Sequence, residues 1–511
     1  MAKHRRLLPL AALLAAGAMH VAPATASTTQ EAMFQDDIQV KTNPAGTLAT
    51  LRTLGVKRLR VAMQWDSVET HRGAYNFSVY DAVDRYAAAD GIAVYFMVTG
   101  PAPAWQTGSH QPKGGPYGFW EPSARGFGTF VRAAGARYNG TTMTSGSTTP
   151  LPRVSFWSIW NEPNYGQSLS PQTTQGNTVQ TGAALYRGLL DAGWAGLAAS
   201  GHRPGRDTIL IGETAPRGVS NPGDFLGIKP LRFLRALYCV NGSYEPLRGA
   251  AARALGCPTT SSGTRHFRGA HPGLFQASGF ADHPYALQSN PGPPTRPTNL
   301  TGGPHSDPDF ADLPQLPALE RTLDRLNRVY GSHSRFPIWN TEYGYRTRPP
   351  DKLGVSQSTA ADYINWAEYI SYRQSRLRNS MQYLLVDPFN GIFASGLELP
   401  NGKHKATFDA YRVPLFLPVT STRHGRRIEV WGGVRPAQTM AAATHRAQQV
   451  AIQWRKGSRG RWNTVETLTI KNPSGYIDPA VRFAGSGAVR LAWRSPGGRT
   501  FYSRTVAITV R

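Results

Sequence analysis

The chain has 511 residues and a formal net charge of +25, from 56 Lys and Arg against 31 Asp and Glu. That length calls for two or three domains, or one large barrel with an attached module. An apolar fraction of 40% with 12 Trp, 21 Tyr and 20 Phe excludes a disordered chain and supplies a substantial core.

The first 26 residues read as an address. Lys3, Arg5 and Arg6 precede an apolar run from Leu7 to Ala18, and Ala24-Thr25-Ala26 offers a small-residue cleavage site. Arg5-Arg6 raises twin-arginine export, but the surrounding pattern favours general secretion. The run is short for a membrane span, and no other segment approaches ~20 apolar residues. The expectation is a soluble, secreted protein, extracellular or associated with the cell wall.

From residue 36 to 418, strand-like and helix-like segments alternate. Strands are predicted at 37–40, 58–63, 93–99, 154–160, 208–212, 277–282, 337–341 and 381–386. Helices are predicted at 47–54, 79–89, 124–138, 183–199, 231–240, 317–329, 359–375 and 406–412. Leu316, Leu319, Leu323 and Leu326 show the helical spacing. Eight alternations predict an α/β fold, a (β/α)8 TIM barrel with active groups at the carboxyl ends of its strands. Roughly 390 residues exceed the usual ~250, so Gly/Pro/Thr-rich stretches at 108–117, 141–152 and 290–308 are read as inserted loops.

After residue 418 the period changes to two. Val450, Ile452 and Trp454, then Val489, Leu491 and Trp493, then Val506, Ile508 and Val510 alternate with polar or small neighbours. This predicts a C-terminal antiparallel β-sandwich, immunoglobulin-like, over 419–511, after a leader at 1–26 and a barrel at 27–418. The sandwich carries 16 Lys/Arg against 3 Asp/Glu. Such a surface suits an anionic cell-wall polymer, or is simply a solvated Arg-rich face; no nucleic-acid recognition motif accompanies it. Trp431 and Trp462 are candidates for carbohydrate contact, against a purely structural role for the domain.

Cys239 and Cys257 are the only cysteines. In an exported chain they can form a disulfide closing a loop worth about 3 kcal/mol; the alternative is two small apolar residues. Without clustered His they give no zinc pattern.

Two glutamates each follow a short aromatic strand. Glu162 lies in Phe156-Trp157-Ser158-Ile159-Trp160-Asn161-Glu162-Pro163-Asn164 at the end of strand four. Glu342 lies in Ile338-Trp339-Asn340-Thr341-Glu342-Tyr343-Gly344 at the end of strand seven. A carboxylate pair delivered from two strand ends is what glycosidic hydrolysis requires. Glu213, Asp282 and Asp387 also end strands and compete as main groups, pocket lining or helix caps.

These motifs, with Arg60-Val61-Ala62-Met63-Gln64-Trp65, Gly73-Ala74-Tyr75-Asn76-Phe77 and His283-Pro284-Tyr285 in barrel order, resemble clan A glycoside hydrolases. The wording Trp-Asn-Glu-Pro-Asn is most similar to glycoside hydrolase family 39, and the resemblance covers residues 36–418. It implies a retaining glycosidase with Glu162 as acid/base and Glu342 as nucleophile. An ionised Glu342 would favour a proton on its neighbour Glu162.

In supporting roles, Asn161 contacts the sugar 2-hydroxyl, and Arg60 and Tyr285 hold Glu342. His283 contacts a sugar hydroxyl or stands behind the site, and Arg60 alternatively forms a structural ion pair. Trp65, Trp105, Trp120 and Tyr165 are candidate sugar platforms, with Trp157, Trp160 and Trp339 read as core. Many relatives carry a Trp after strand eight where this chain has Leu385-Val386-Asp387-Pro388-Phe389-Asn390. Phe389 is the candidate replacement, and Asp387 a candidate influence on which sugar fits. No cofactor is expected, since proton transfer and covalent catalysis suffice. The alternative is a catalytically silent barrel that binds glycan or cell wall through its basic C-terminal domain.

Overall fold

The computed structural model describes residues 30–287, 294–298 and 307–511. The leader at 1–26 and most of the 290–308 stretch lie outside them. Eight strands form one parallel sheet: β1 (Glu31–Gln35), β2 (Arg58–Gln64), β3 (Ala93–Thr99), β4 (Phe156–Ile159), β5 (Thr208–Thr214), β6 (Gly279–Asp282), β7 (Ile338–Asn340) and β8 (Asn379–Tyr383). Neighbours pair in sequence order, and β8 pairs in parallel with β1, Glu31 against Asn379 through Gln35 against Tyr383. A bridge between Ile338 and Leu377 brings β7 to the chain entering β8. The sheet therefore closes into the (β/α)8 barrel.

Buried runs such as Val-Tyr-Phe-Met-Val-Thr in β3 make these strands, because a parallel strand is covered on both faces. Helices follow each strand: α1 (Pro44–Thr53), α2 (Ser78–Ala89), α3 (Ala124–Arg137), α4 (Thr181–Ala199), α5 (Pro230–Leu237), α6 (Leu316–Val329), α7 (Gln357–Tyr372) and α8 (Ala406–Arg412). In α6, Leu316, Leu319, Leu323 and Leu326 are all buried, as their spacing required. Among the described residues, no helix is long and apolar enough to cross a membrane.

The first strand differs from its expected place. Residues 37–40 belong to a helix, Asp37–Thr42, because the Asp36 side chain accepts a hydrogen bond from the Gln39 amide and caps it. The strand is the preceding Glu31–Gln35. Strand eight likewise runs Asn379–Tyr383, two residues earlier at its start than the apolar run suggested.

The C-terminal region forms sheets that are antiparallel except where Ser421–Thr422 pairs in parallel with Val506–Val510, around its own core of Val450, Ile452, Val489, Leu491, Trp493 and Ile508. Gly487–Arg494 pairs antiparallel with Gln449–Lys456, with Thr500–Tyr502 and with Val506–Val510. Arg435 of this region donates to Glu368 of α7 at 2.7 Å, and Tyr476 donates to the same carboxylate. Trp431, fully buried, packs on Tyr369 and Tyr372 of α7. Sandwich and barrel thus share one packed seam. Cys239 and Cys257 are disulfide-bonded.

Candidate active site

Backbone geometry at the strand ends turns two glutamates into the barrel mouth. After β4 the chain leaves extended conformation: Trp160 and Glu162 both have positive φ, 72° and 40°. That is a costly region for side chains of this kind. The Glu162 amide donates to the Glu213 carbonyl at 2.8 Å, and the Trp160 amide to the Val98 carbonyl. These bonds hold the turn. On β7, the Thr341 amide donates to the Asp282 carbonyl, delivering Glu342 next. The side chains of Glu162 and Glu342 remain 16% and 14% exposed. One oxygen of each and one ring nitrogen of His283 lie within 4.8 Å of one another.

Arg60 lies beneath them, fully buried on β2. It donates from Nη1 to Glu342 at 2.7 Å, and from Nη2 to Asn161 Oδ1 at 3.0 Å and Glu213 at 3.1 Å. Nη1 also donates to Gln35. Burial opposes the guanidinium charge, but Glu213 and Glu342 together raise Arg60 well above its ordinary range. The bond from Arg60 fixes the Asn161 amide with its oxygen inward, so its NH2 is left to donate elsewhere. Tyr285 donates to Glu342 Oε2 at 3.3 Å, and burial lifts its hydroxyl well above 10.

His283 is fully buried between three carboxylates. Nδ1 lies 3.0 Å from Glu162 and 3.6 Å from Glu342; Nε2 lies 2.9 Å from Glu213. Burial disfavours its charge, but the Glu342 charge and the hydrogen bonds to Glu162 and Glu213 overcome this and raise the ring to about 10. In that form both nitrogens carry hydrogens.

Glu213 is the residue whose weight the sequence reading understated. A bulge between β5 and β6 at Gly212/Thr214 re-aims it inward, with φ 51°. Gly212 makes this possible: its φ is +103°, and a Cβ there would meet the Ala281 carbonyl oxygen at 2.6 Å. Glu213 accepts from Arg60, His283, Thr341, Tyr95 and Ser158. Burial alone would raise it; Arg60 and His283 hold it far below the usual carboxylate range. The available signal was a set of polar residues inside apolar strands, Arg60, Ser158 and Gln35, which need buried partners.

Several candidates fall elsewhere. Trp65 is fully buried: its indole donates to Glu69 at 2.6 Å and stacks on Phe130 at 5.9 Å, so it is core and not a platform. It follows β2 directly in a short helix, Trp65–Val68, whose inner face meets α3. Trp105 is partly buried under Arg72, and Trp120 donates to the Ser109 carbonyl. Neither has a hydrogen bond to the glutamate network. Tyr165, half-buried, lies close enough to Glu162 for its hydroxyl to be raised in part by that charge, after burial.

Trp157 and Trp160 are core. Asp387 is buried with both oxygens on Lys405, at 2.8 and 2.9 Å, and is a structural pair, not a pocket wall. Phe389 is 91% exposed. Phe393, in the same loop, instead contacts Tyr285 and Tyr383 at 5.3 and 5.8 Å and is the aromatic of that loop nearest the site. Asp282 accepts from Thr214 at 2.5 Å, and burial pushes it up to about 8.

No family model and no curated protein matches the chain. Among solved structures, it is similar to a family 39 glycoside hydrolase from the gut symbiont Bacteroides cellulosilyticus WH2, at 14% identity over 89% of this chain and 80% of that one, TM-score 0.48. It is also similar to a glucosidase from Croceicoccus marinus, at 10% identity over 95% of each chain, TM-score 0.47. A GH39 β-xylosidase from Caulobacter crescentus gives 13% identity over 84% and 83%, TM-score 0.44.

Proposed function

We propose that the protein is a retaining glycoside hydrolase acting on a poly- or oligosaccharide, with Glu342 as nucleophile and Glu162 as acid/base. The observation that carries this reading is the separation of the two carboxylates: their nearest oxygens are no more than 4.8 Å apart. A double displacement uses carboxyl groups ~5–5.5 Å apart, whereas inversion needs ~6.5–9.5 Å to admit a water. The asymmetry of their partners supports the division of roles. Arg60 and Tyr285 both donate to Glu342, at 2.7 and 3.3 Å, which favours its ionised form, whereas Glu162 has one such neighbour, His283 Nδ1 at 3.0 Å.

In the first step Glu342 attacks the anomeric carbon as the bond to the leaving oxygen breaks, and that oxygen takes the Glu162 proton. In the second, Glu162 takes a proton from water. The water oxygen bonds to the anomeric carbon, and the bond to Glu342 breaks, restoring both groups. Asn161, the neighbour of Glu162 in the chain, donates its NH2 to a hydroxyl of the same sugar.

The leader and the disulfide support a site of action outside the cytoplasm. On the sandwich, Arg455 and Arg490 lie over Trp462 at 4.6 and 4.2 Å, and Arg490 over Tyr502 at 3.8 Å. This cationic, aromatic face favours a partner role toward an anionic glycan such as a cell-wall polymer.

Full-length protein assayed on aryl glycosides and soluble polysaccharides tests the reading. Glu162→Gln and Glu342→Gln each lower turnover by orders of magnitude with the fold unchanged. Near-normal turnover in either variant refutes it. No hydrolysis of any glycan, together with binding to polygalacturonate that is lost in Trp462→Ala/Arg490→Ala, would instead establish a glycan-binding barrel.

A further inference from the structure

Arg60 and His283 are buried under the glutamate pair, and Glu213 is buried beside them. Glu213 is fully buried, and its two oxygens accept five side-chain hydrogen bonds: Tyr95 and Ser158 on Oε1, Arg60, His283 and Thr341 on Oε2. A carboxylate has about four lone-pair sites, so a carboxyl hydrogen has no place on it. It is an anion by geometry. An anionic Glu213 accepts a hydrogen from His283 Nε2, which also lies 3.4 Å from Arg60 Nη2, and the other nitrogen faces Glu162 and Glu342.

The remaining polar neighbours are neutral at neutral pH. Tyr95, Tyr186, Tyr285 and Tyr383 are all raised by burial. Asp282, pushed up by burial to about 8, holds its proton. Arg60 and His283 thus contribute two positive charges and Glu213 one negative.

Building on the hydrolase reading above, we propose that Glu213 is a positioning residue that fixes the site at a single negative charge, shared in turn by Glu342 and Glu162. In the free enzyme that charge is on Glu342, held by Arg60, and Glu162 keeps its proton. In the glycosyl-enzyme Glu342 is an ester, and the charge is on Glu162, held by His283 Nδ1. The buried total is zero in both states, so neither step leaves an uncompensated charge in a low-dielectric site. Were Glu213 neutral, the site would carry one surplus positive charge. It would discharge it by losing a proton from His283 or Glu162, and the acid would be lost.

The test is Glu213→Gln in the full-length protein, read two ways. The first readout needs no substrate. With 15N-histidine labelling and assignment by His283→Gln, the wild-type His283 ring stays doubly protonated up to about 10. In Glu213→Gln it loses its proton lower by about one pH unit or more. The second is the pH dependence of kcat/KM on an aryl glycoside, whose alkaline limb moves to lower pH by a similar amount and returns in Glu213→Asp. A purely structural role lowers kcat without moving the limb.

A wild-type ring titrating near its ordinary 6.5 overturns the proposal even if the variant fails to fold. So does a variant whose ring titration and alkaline limb are both unmoved. A wild type inert on every glycoside, with the ring shift intact, refutes the hydrolase reading and leaves the charge assignment standing.

Discussion

Arg60→Met removes the buried guanidinium while keeping much of its length, and its cost can be worked from its partners. Arg60 is fully buried, as is Glu213, with 3.1 Å between the charges, and the second arm holds Glu342 at 2.7 Å. Deleting one partner of such a pair leaves the other charge uncompensated, at a cost of about 3–5 kcal/mol. With an unfolding entropy of about 2.1 cal/mol/K per residue over roughly 390 barrel residues, this lowers the melting temperature by about 4–6 °C.

His283 remains beside Glu213 and favours the lower figure. The assay is urea unfolding followed by tryptophan fluorescence, run as a cycle with Glu213→Gln and the double variant. Removing both charges costs less than the sum of the two single removals, and the cycle shows a coupling of about 1–3 kcal/mol. Single-variant effects that add to within about 0.5 kcal/mol would refute the reasoning, because Arg60 and Glu213 would then be energetically independent.

Three further expectations follow from the same structure. Glu162→Gln loses about 10²–10⁴-fold in kcat/KM on alkyl or sugar leaving groups, but far less in kcat/KM on 2,4-dinitrophenyl glycosides, which depart without protonation; an equal loss of kcat/KM on both removes Glu162 from the acid role. Asp282 is raised in the fold to about 8 from 3.8. The folded state therefore binds the extra proton between these values, and the stabilisation it gives is complete below pH 3.8 and lost as pH rises through 8. Asp282→Asn accordingly flattens the fall of the urea midpoint between pH 6 and 9, leaving the separate contribution of His283, which is lost on approach to 10. A pH profile unchanged by Asp282→Asn contradicts this. Finally, Cys239 and Cys257 are 18 residues apart, and the loop-entropy relation makes their bond worth about 3 kcal/mol. The double Ser variant, compared with wild type under oxidising conditions, reports it, and an unchanged midpoint would show that the closed loop does not constrain the unfolded chain.

The barrel was legible in the chain because both of its periods are local. Runs such as Val94–Thr99 are apolar on both faces, and the Leu repeat of α6 marks one face of a helix. The first strand was displaced for a local reason as well: Asp36 caps a helix where an apolar alternation suggested extension. Glu162 and Glu342 could be singled out because each ends an aromatic strand in Pro or Gly company.

What no window of sequence could supply is what surrounds them. Trp65 has the look of a sugar platform, yet the face it turns is decided by α3 packing against it. Phe389 and Phe393 are four residues apart in one loop, and only the loop's path sends the second toward Tyr285. Glu213 was one of three competing strand-end carboxylates. Its neighbours come from five other strands or their ends, up to 153 residues away in the chain. A charge in low dielectric is defined by all the groups that enclose it at once. Sequence therefore singled out the candidate residues, and barrel closure alone decided which charged groups enclose each of them.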